Sequence, residues 1–246
     1  MTKNKLWKGD KKTVVVIIHG WTANTEQVNP LAEDLNKLGY PVCAPLLKGH
    51  GTKPEDLERV KWSEWLLDVE NAISEVKKYF PDKKIHLVGI SLGGNLALLA
   101  SLDKKIDGVT LLGTPIYLQN HYWTFFLMKL AGIFKKYIHK KYPGSVSKAK
   151  KVSYSYFPVK SAQESIKLIK KTGRQLGSVR VPVLIIQTNN DYMVASYSPW
   201  IVYNRIGSKI KKLHWIQVEK ETHISLDENT SDYTSAINNF IKESQQ

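Results

Sequence analysis

Ser91 lies in the segment Gly89-Ile90-Ser91-Leu92-Gly93, which has the residue types and spacing of a catalytic nucleophile in a sharp turn. The apolar run before it predicts a buried strand, and the residues from Leu92 to Ser101 predict a helix. Glycines at such an elbow allow the backbone to turn tightly and leave the serine hydroxyl exposed. The backbone N–H of the next residue, Leu92, then points to the same space as the serine hydroxyl. We predict a nucleophile with half of an oxyanion hole; a helix-capping serine after a glycine-rich turn is the alternative.

The other half of the oxyanion hole is expected after an earlier strand. The run from Val14 to Ile18 predicts a buried strand, and His19-Gly20-Trp21-Thr22 follows it. A His-Gly-x segment at this position commonly supplies the second donor, here the backbone N–H of Trp21. Donors from two elements can point to one oxygen without reorganising during the reaction. We interpret His19 itself as a structural residue of the loop.

An acid and a base follow the serine at the ends of two later predicted strands. Asp191 comes after the run Val181–Gln187, and His223 comes after the run Lys212–Val218. Sites in open α/β sheets assemble at the carboxyl ends of the strands. His223 would accept the proton of the serine, and Asp191 would hold the imidazole in the required tautomer.

The remaining histidines and acids fit these roles less well. His86 and His214 lie inside predicted strands, and His50 precedes the serine in a loop that we expect it to brace. Both His121 and His139 belong to a basic stretch. Asp227 and Glu221 are close to His223 in sequence, but neither is expected at a separate strand end.

Together these segments resemble the α/β-hydrolase superfamily, and within it the small bacterial carboxylesterases and monoacylglycerol lipases. Ala44-Pro45-Leu46-Leu47-Lys48-Gly49-His50-Gly51 and His223-Ile224-Ser225-Leu226-Asp227 add to the similarity, which covers roughly residues 13–113 and 180–243. The resemblance implies hydrolysis of carboxylic esters by the three residues Ser91, His223 and Asp191 through an acyl-enzyme, without cofactor or metal.

The sequence departs from this pattern at two places. Trp21 stands where many relatives carry phenylalanine, but the expected oxyanion donor is a backbone group, so the chemistry should survive. The segment between the two similar regions is not recognisable, which leaves the natural substrate open. An acyltransferase or an amide or peptide hydrolase could use the same three residues, because a fold does not specify the acceptor. A catalytically silent protein that binds lipid or nucleic acid is a further alternative.

Alternating strands and helices predict an α/β-hydrolase fold, with a mostly parallel sheet of about six to seven strands flanked by helices. We expect the core in two parts, residues 1–114 and 179–246, and a mainly helical cap or lid inserted at residues 115–178. Because the strand at Val14 begins so early, additional N-terminal antiparallel strands should be reduced or absent.

The charge of the chain is concentrated in the expected cap. Residues 115–178 contain thirteen lysines or arginines and a single acid, Glu164, so this segment carries +12 of the chain's formal +14. No recognised nucleic-acid motif accompanies these charges, so we do not expect nucleic acid as a partner. Attraction of anionic substrates or an anionic membrane surface is the preferred interpretation.

The first part of the cap combines lysines with aromatic and aliphatic residues. As a helix, the segment from Tyr122 to Tyr137 would either pack over an apolar acyl pocket or contact lipid headgroups and tails. Both interpretations favour a small ester substrate with a hydrophobic acyl chain. The expected pocket residues are Ile90, Tyr122, Phe125, Phe126, Met193 and Ile224.

Composition agrees with a globular enzyme. The chain has 246 residues, of which 42% are hydrophobic, and no apolar run approaches the ~20 residues of a membrane span. The lysine-rich start does not resemble a secretory signal, so we expect a cytoplasmic protein. Cys43 is the only cysteine and is expected to be a small buried apolar residue. The oligomeric state stays open.

Overall fold

The computed structural model describes residues 4–102, 106–119, 135–140, 152–224 and 226–244. Strands and helices alternate along most of these ranges. The strands are β1 (Lys5–Trp7), β2 (Thr13–Ile18), β3 (Val42–Ala44), β4 (Lys84–Ile90), β5 (Gly108–Leu112), β6 (Tyr137–His139), β7 (Tyr156–Pro158), β8 (Val183–Thr188) and β9 (Lys211–Ile216). The α-helices are α1 (Asn29–Lys37), α2 (Trp62–Tyr79), α3 (Leu92–Ala100), α4 (Val159–Gln175), α5 (Ser198–Arg205) and α6 (Leu226–Ser244).

Seven of the described strands form one sheet in the order β1-β3-β2-β4-β5-β8-β9. All neighbours in it are parallel except β1, which pairs antiparallel with β3. The predicted mostly parallel sheet of an α/β-hydrolase fold is therefore confirmed, including the number of strands. The central strands are apolar and buried along their length because helices cover both faces of the sheet.

The two faces of the sheet have separate hydrophobic clusters. Successive residues of a strand point to opposite faces, so Val16 packs in the cluster with Trp65 of α2, whereas Val15 packs in the cluster with Leu31 of α1. Helices α2 to α5 contribute to the first cluster, and α1 and α6 contribute to the second. Helices thereby cover both faces of the sheet.

Element boundaries follow local chemistry. The helix predicted from Trp62 to Tyr79 has these bounds in the structure. The helix expected from Thr25 begins as a 3₁₀ turn whose first N–H groups are capped by Asn24, and α-helix starts only at Asn29. Pro30 fits there because the first turn of a helix needs no N–H from it. Helix α6 begins at Leu226, earlier than the expected Ser231.

The segment expected to form the cap is described in part. Strands β6 and β7 pair antiparallel outside the main sheet, and α4 follows β7 directly. Helix α4 places Leu168 and Ile169 in the core cluster with α3, so this part of residues 115–178 packs on the core layer. Most of the aromatic helix predicted from Tyr122 lies outside the described residues. The division into core and cap stays a prediction.

Candidate active site

Ser91 occupies a strained turn between β4 and α3. Its backbone has φ 52° and ψ −119°, one of two non-glycine residues with positive φ in the described part of the chain. Such a conformation is costly for a residue with a side chain and is concentrated at functional sites. The Ser91 N–H donates to the carbonyl of Leu112 (2.7 Å), and the Gly94 N–H donates to the Ser91 carbonyl (2.9 Å). The neighbouring strand β5 therefore holds the turn in place.

The glycines around Ser91 are required by close backbone contacts. A Cβ atom on Gly89 would overlap the backbone of Gly93 and Gly94, and one on Gly93 would overlap the carbonyl of Ile18. A Cβ on Gly94 would overlap the hydroxyl of Thr114. These contacts bring the elbow directly against the ends of β2 and β5 and thus against the loop that follows β2.

His223 and Asp191 form a direct hydrogen-bonded pair. The Nδ1 atom of His223 lies 2.9 Å from Oδ2 and 3.1 Å from Oδ1 of Asp191, whose side chain is only 3% exposed. Oδ1 of the carboxylate also accepts from the N–H groups of Met193 (2.8 Å) and Val194 (2.9 Å), and Oδ2 accepts from Nε2 of Gln187 (2.7 Å). These four donors fix the orientation of the carboxylate.

Electrostatics favour an ionised Asp191. Burial alone would raise the pKa of its carboxyl, but the charge and hydrogen bond of His223 and the two backbone N–H groups together keep that pKa below its usual value. A carboxylate can only accept, so the shared proton is assigned to Nδ1 of His223. The opposite nitrogen, Nε2, is buried and has no hydrogen-bond partner in the described part of the chain. It is therefore available to accept a proton.

The end of β5 brings the serine elbow and the histidine loop together. Gly113 follows β5 with φ 55°, and a Cβ there would lie 2.7 Å from Cγ1 of Ile224 and 3.2 Å from Cε1 of His223. The residue before it, Leu112, accepts the N–H of Ser91. The structure thus places the three predicted residues after the carboxyl ends of β4, β8 and β9, with Gly113 between the serine elbow and the histidine loop.

The loop after β2 is braced from inside by His19. This fully buried side chain accepts the N–H of Leu47 at Nε2 (3.2 Å) and donates from Nδ1 to the carbonyl of Gly20 (2.9 Å). Burial lowers the pKa of His19 to about 4, so the imidazole is neutral at physiological pH. On the other side, the Gly20 N–H donates to Oε1 of Gln27 (2.8 Å). This arrangement agrees with the structural role expected for His19.

Trp21 is held by contacts that the sequence pattern did not indicate. Its indole Nε1 donates to Oγ of Ser161 in α4 (2.9 Å), and its ring packs against Phe157 of β7 with centroids 4.7 Å apart. A Cβ on Gly93 would also approach the His19 carbonyl at 2.7 Å, so the Trp21 loop and the start of α3 are direct neighbours. The N–H groups of Trp21 and Leu92 thus belong to adjacent segments.

Among the described histidines, only His223 hydrogen-bonds to the carboxylate of Asp191. His50 is buried against the rings of His19 (5.0 Å) and Trp65 (5.7 Å), as expected for a loop brace. His86 contacts the Thr110 hydroxyl inside the sheet, and His214 is exposed on β9. His139 and Glu221 are also exposed, whereas His121 and the side chain of Asp227 lie outside the described residues.

The expected pocket residues have mixed surroundings. Met193 is 40% exposed beside Asp191, and Ile224 is half-buried against Gly113. Ile90 is fully buried in the cluster with Leu112 and therefore presents no surface to a substrate. The three aromatic residues expected in the pocket lie outside the described residues: Tyr122, Phe125 and Phe126. Within the described ranges no helix is long and apolar enough to cross a membrane.

Comparison with known protein families agrees with this geometry. The model of the family described as serine aminopeptidase, S33, matches residues 9–220 of the chain. The chain belongs to this family. It is an enzyme of the hydrolase class with the α/β-hydrolase fold, as the sequence resemblance implied.

Individual relatives agree with the resemblance to carboxylesterases and monoacylglycerol lipases. The chain is 29% identical to the thermostable monoacylglycerol lipase of Bacillus sp. strain H-257, over 86% of this chain and 82% of the relative. It is 27% identical to the carboxylesterase of Bacillus subtilis strain 168, over 89% and 87% of the two chains. The crystal structure of a Paleococcus ferrophilus monoacylglycerol lipase matches 99% of each chain with a TM-score of 0.83 at 17% identity, which supports the fold.

Proposed function

We propose that this protein is a serine carboxylic-ester hydrolase of the carboxylesterase or monoacylglycerol lipase type. Ser91 is the nucleophile, His223 the general base and acid, and Asp191 the residue that orients the base. The observation that carries the proposal is the Asp191–His223 pair at 2.9 Å beside the strained turn of Ser91, with Nε2 of His223 unpaired among the described residues. The names of the bacterial relatives support esters as the substrate class.

Catalysis would proceed in two acyl-transfer steps. Oγ of Ser91 attacks the ester carbonyl while Nε2 of His223 takes the proton of the serine hydroxyl. The resulting oxyanion accepts hydrogen bonds from the N–H groups of Trp21 and Leu92. The tetrahedral intermediate then collapses, His223 gives the proton to the alcohol oxygen, and the alcohol leaves. Water attacks the acyl-enzyme with His223 again as base, which releases the acid and restores Ser91.

The substrate is proposed to be a monoacylglycerol or another ester with a hydrophobic acyl chain. The apolar residues between Tyr122 and Phe134 support this choice, because they follow β5 in the segment that the sequence predicts to be the cap. We propose that residues 115–178 include the cap over the site. A cytoplasmic location remains the proposal drawn from the sequence.

Transient contact with an anionic membrane is the proposed role of the basic charge. Helix α4 supports it by exposing cations on the side opposite its buried Leu168 and Ile169. Exposed cations near an anionic lipid surface add favourable binding free energy that salt screens. The exposed cations of α4 are Lys160, Lys167, Lys170, Lys171 and Arg174.

The proposal is tested by hydrolysis of p-nitrophenyl esters from acetate to palmitate and of monoacylglycerols. Wild type should turn over esters, and Ser91→Ala should lose at least ~10³-fold in kcat, since removal of a nucleophile of this type leaves only binding and oxyanion stabilisation. Ser74→Ala, an exposed serine on α2, is the matched control and should be unaffected. Ester turnover that persists in Ser91→Ala would refute the assigned nucleophile.

The family description gives specific support to one alternative, an amide or peptide hydrolase. The same residues can cleave an amide because the tetrahedral intermediate and the proton transfers are alike. Aminoacyl p-nitroanilides measured beside the matching esters distinguish the two functions. A larger kcat/KM for the anilides would assign the enzyme to peptides, and product analysis with added alcohol would detect acyl transfer.

A further inference from the structure

Two short segments after the predicted cap helix close around the loop that carries Trp21. Ser153 forms an antiparallel bridge with Ala23, and the N–H of Tyr154 donates to the carbonyl of Thr22 (2.9 Å). The N–H of Lys140, just after β6, donates to the carbonyl of Ser155 (2.9 Å). Lys140 is therefore held beside the oxyanion loop from two sides.

The amino group of Lys140 is directed at the loop. Its Nζ donates to Oγ1 of Thr22 and to Oγ of Ser153, the latter at 2.6 Å. Thr22 is buried and has φ 65°, a conformation that a β-branched residue rarely adopts without support from its surroundings. The support here includes the hydrogen bond from Lys140, because the Thr22 side chain is its acceptor.

Thr22 passes this interaction on to Trp21. The Thr22 hydroxyl donates to the carbonyl of Trp21 at 2.6 Å. A hydroxyl that accepts from an amino group directs its own proton away from that group, and hydrogen bonds in such a chain strengthen each other. The chain of hydrogen bonds from Lys140 through Thr22 to the Trp21 carbonyl thus fixes the peptide plane that follows Trp21.

We propose that Lys140 is a positioning residue for the oxyanion hole, which acts through Thr22 to hold the Trp21 carbonyl and thereby the loop that carries the backbone N–H of Trp21. The inference rests on the proposed function and adds a residue to it. Lys140 has no contact with the substrate in this scheme. Its cationic form donates a stronger hydrogen bond to Thr22 than the neutral amine does, so the support of the loop depends on the charge of Lys140.

The ionisation of Lys140 gives the proposal a distinct signature. Burial lowers the pKa of its amino group to about 7. Among the described residues, the charge of Lys140 acts on His50, whose ring packs against that of His19. Burial keeps the pKa of both histidines low, so they stay neutral while Lys140 titrates. Because Lys140 loses its charge as the pH rises through about 7, kcat should fall on the alkaline side.

The test compares kcat and KM against pH for wild type, Lys140→Met and Lys140→Arg. We expect Lys140→Met to lower kcat about tenfold with little change in KM and to abolish the alkaline fall, since a weakened oxyanion donor acts on the transition state. Lys140→Arg keeps a permanent cation and should retain more activity, also without the alkaline fall. Lys135→Met, an exposed lysine in the same segment, is the control for lost charge.

Thr22 variants test the same path without altering the lysine. Thr22→Val should reproduce Lys140→Met, and the double variant should lose no more than either single one, because both break one chain of hydrogen bonds. Thr22→Ser keeps the hydroxyl and should retain the wild-type pH profile. If Lys140→Met and Thr22→Val match Lys135→Met in kcat and pH profile, the positioning role is refuted.

The two proposals fail in different ways. Loss of turnover in Ser91→Ala together with a normal Lys140→Met enzyme would overturn only the role of Lys140. Absence of ester turnover in wild type would overturn both. Should Lys140→Met not fold, which circular dichroism would show, the comparison of Thr22→Val with Thr22→Ser still decides the question.

Discussion

At the scale of single residues, the proposed mechanism depends on how firmly His223 is oriented. The carboxylate of Asp191 accepts hydrogen bonds from four groups, one of them Nε2 of Gln187 in β8. Asp191 and His223 could be predicted from the sequence because each follows a recognisable strand. Gln187 is a polar residue near the end of an otherwise apolar strand, and a polar side chain at such a position indicates a hydrogen-bonding role. The hydrogen bond from Trp21 to Ser161 could not be predicted from a local sequence pattern, because the two residues are 140 positions apart.

Asp191→Asn should lower kcat by about 10⁴-fold while the protein stays folded. The amide can donate to Nδ1 and so favours the tautomer that carries the proton on Nε2, where it blocks proton transfer from Ser91. Steady-state kinetics with a short-chain ester and circular dichroism would measure this. Asp82→Asn, an exposed residue after α2, should match wild type. Full activity of Asp191→Asn would remove Asp191 from the mechanism and direct attention to Glu221 or Asp227.

At the scale of elements, the turn of Ser91 depends on the packing of α3 against the end of β5. The Gly-x-Ser-x-Gly motif predicted the elbow, because local turn chemistry sets it. The helical spacing of apolar residues predicted the bounds of α2. It did not predict that α4 would pack on the core. That helix is amphipathic and basic, and the pattern alone does not say which neighbour covers its apolar side.

Gly94→Ala should destabilise the protein by about 1–3 kcal/mol and reduce activity, since the added methyl overlaps Thr114 at the start of the elbow. Thr114→Ala should cost little, because its buried hydroxyl has no hydrogen-bond partner in the described part of the chain. The double variant should recover part of the loss, as removal of Oγ1 and Cγ2 makes room for the methyl. Urea unfolding of the four proteins provides the comparison, and a double variant no more stable than Gly94→Ala would contradict the overlap.

At the scale of the whole molecule, buried neutral histidines should make the fold sensitive to acid. Burial lowers the pKa of His86 to about 3 and that of His19 to about 4, whereas unfolded histidine titrates near ~6.5. The unfolded state therefore binds more protons below this pH. The stabilisation is complete above about pH 6.5 and decreases as the pH falls towards the folded-state values, by about 1.4 kcal/mol per pH unit for each such histidine.

Between about pH 6 and 4, His86→Gln should reduce the slope of unfolding free energy against pH by about 1.4 kcal/mol per pH unit, the contribution of one buried histidine. Glutamine has no proton to gain in that range and can still bond to the Thr110 hydroxyl, which lies 2.8 Å from His86 Nε2. The free energy of unfolding, measured with urea at several pH values, gives the slope. His214→Gln on the exposed side of β9 is the control. Equal slopes in the two variants would show that His86 is not an acid-sensitive group.

The central claim is that Ser91, His223 and Asp191 form one ester-cleaving unit. The most direct measurement is intact-protein mass spectrometry during turnover of a monoacylglycerol or p-nitrophenyl ester, with rapid acid quenching. We expect a mass increase equal to one acyl group, located on the peptide that contains Ser91 and absent from Ser91→Ala. Turnover with the acyl group on another residue, or turnover that survives in Ser91→Ala, would contradict the account.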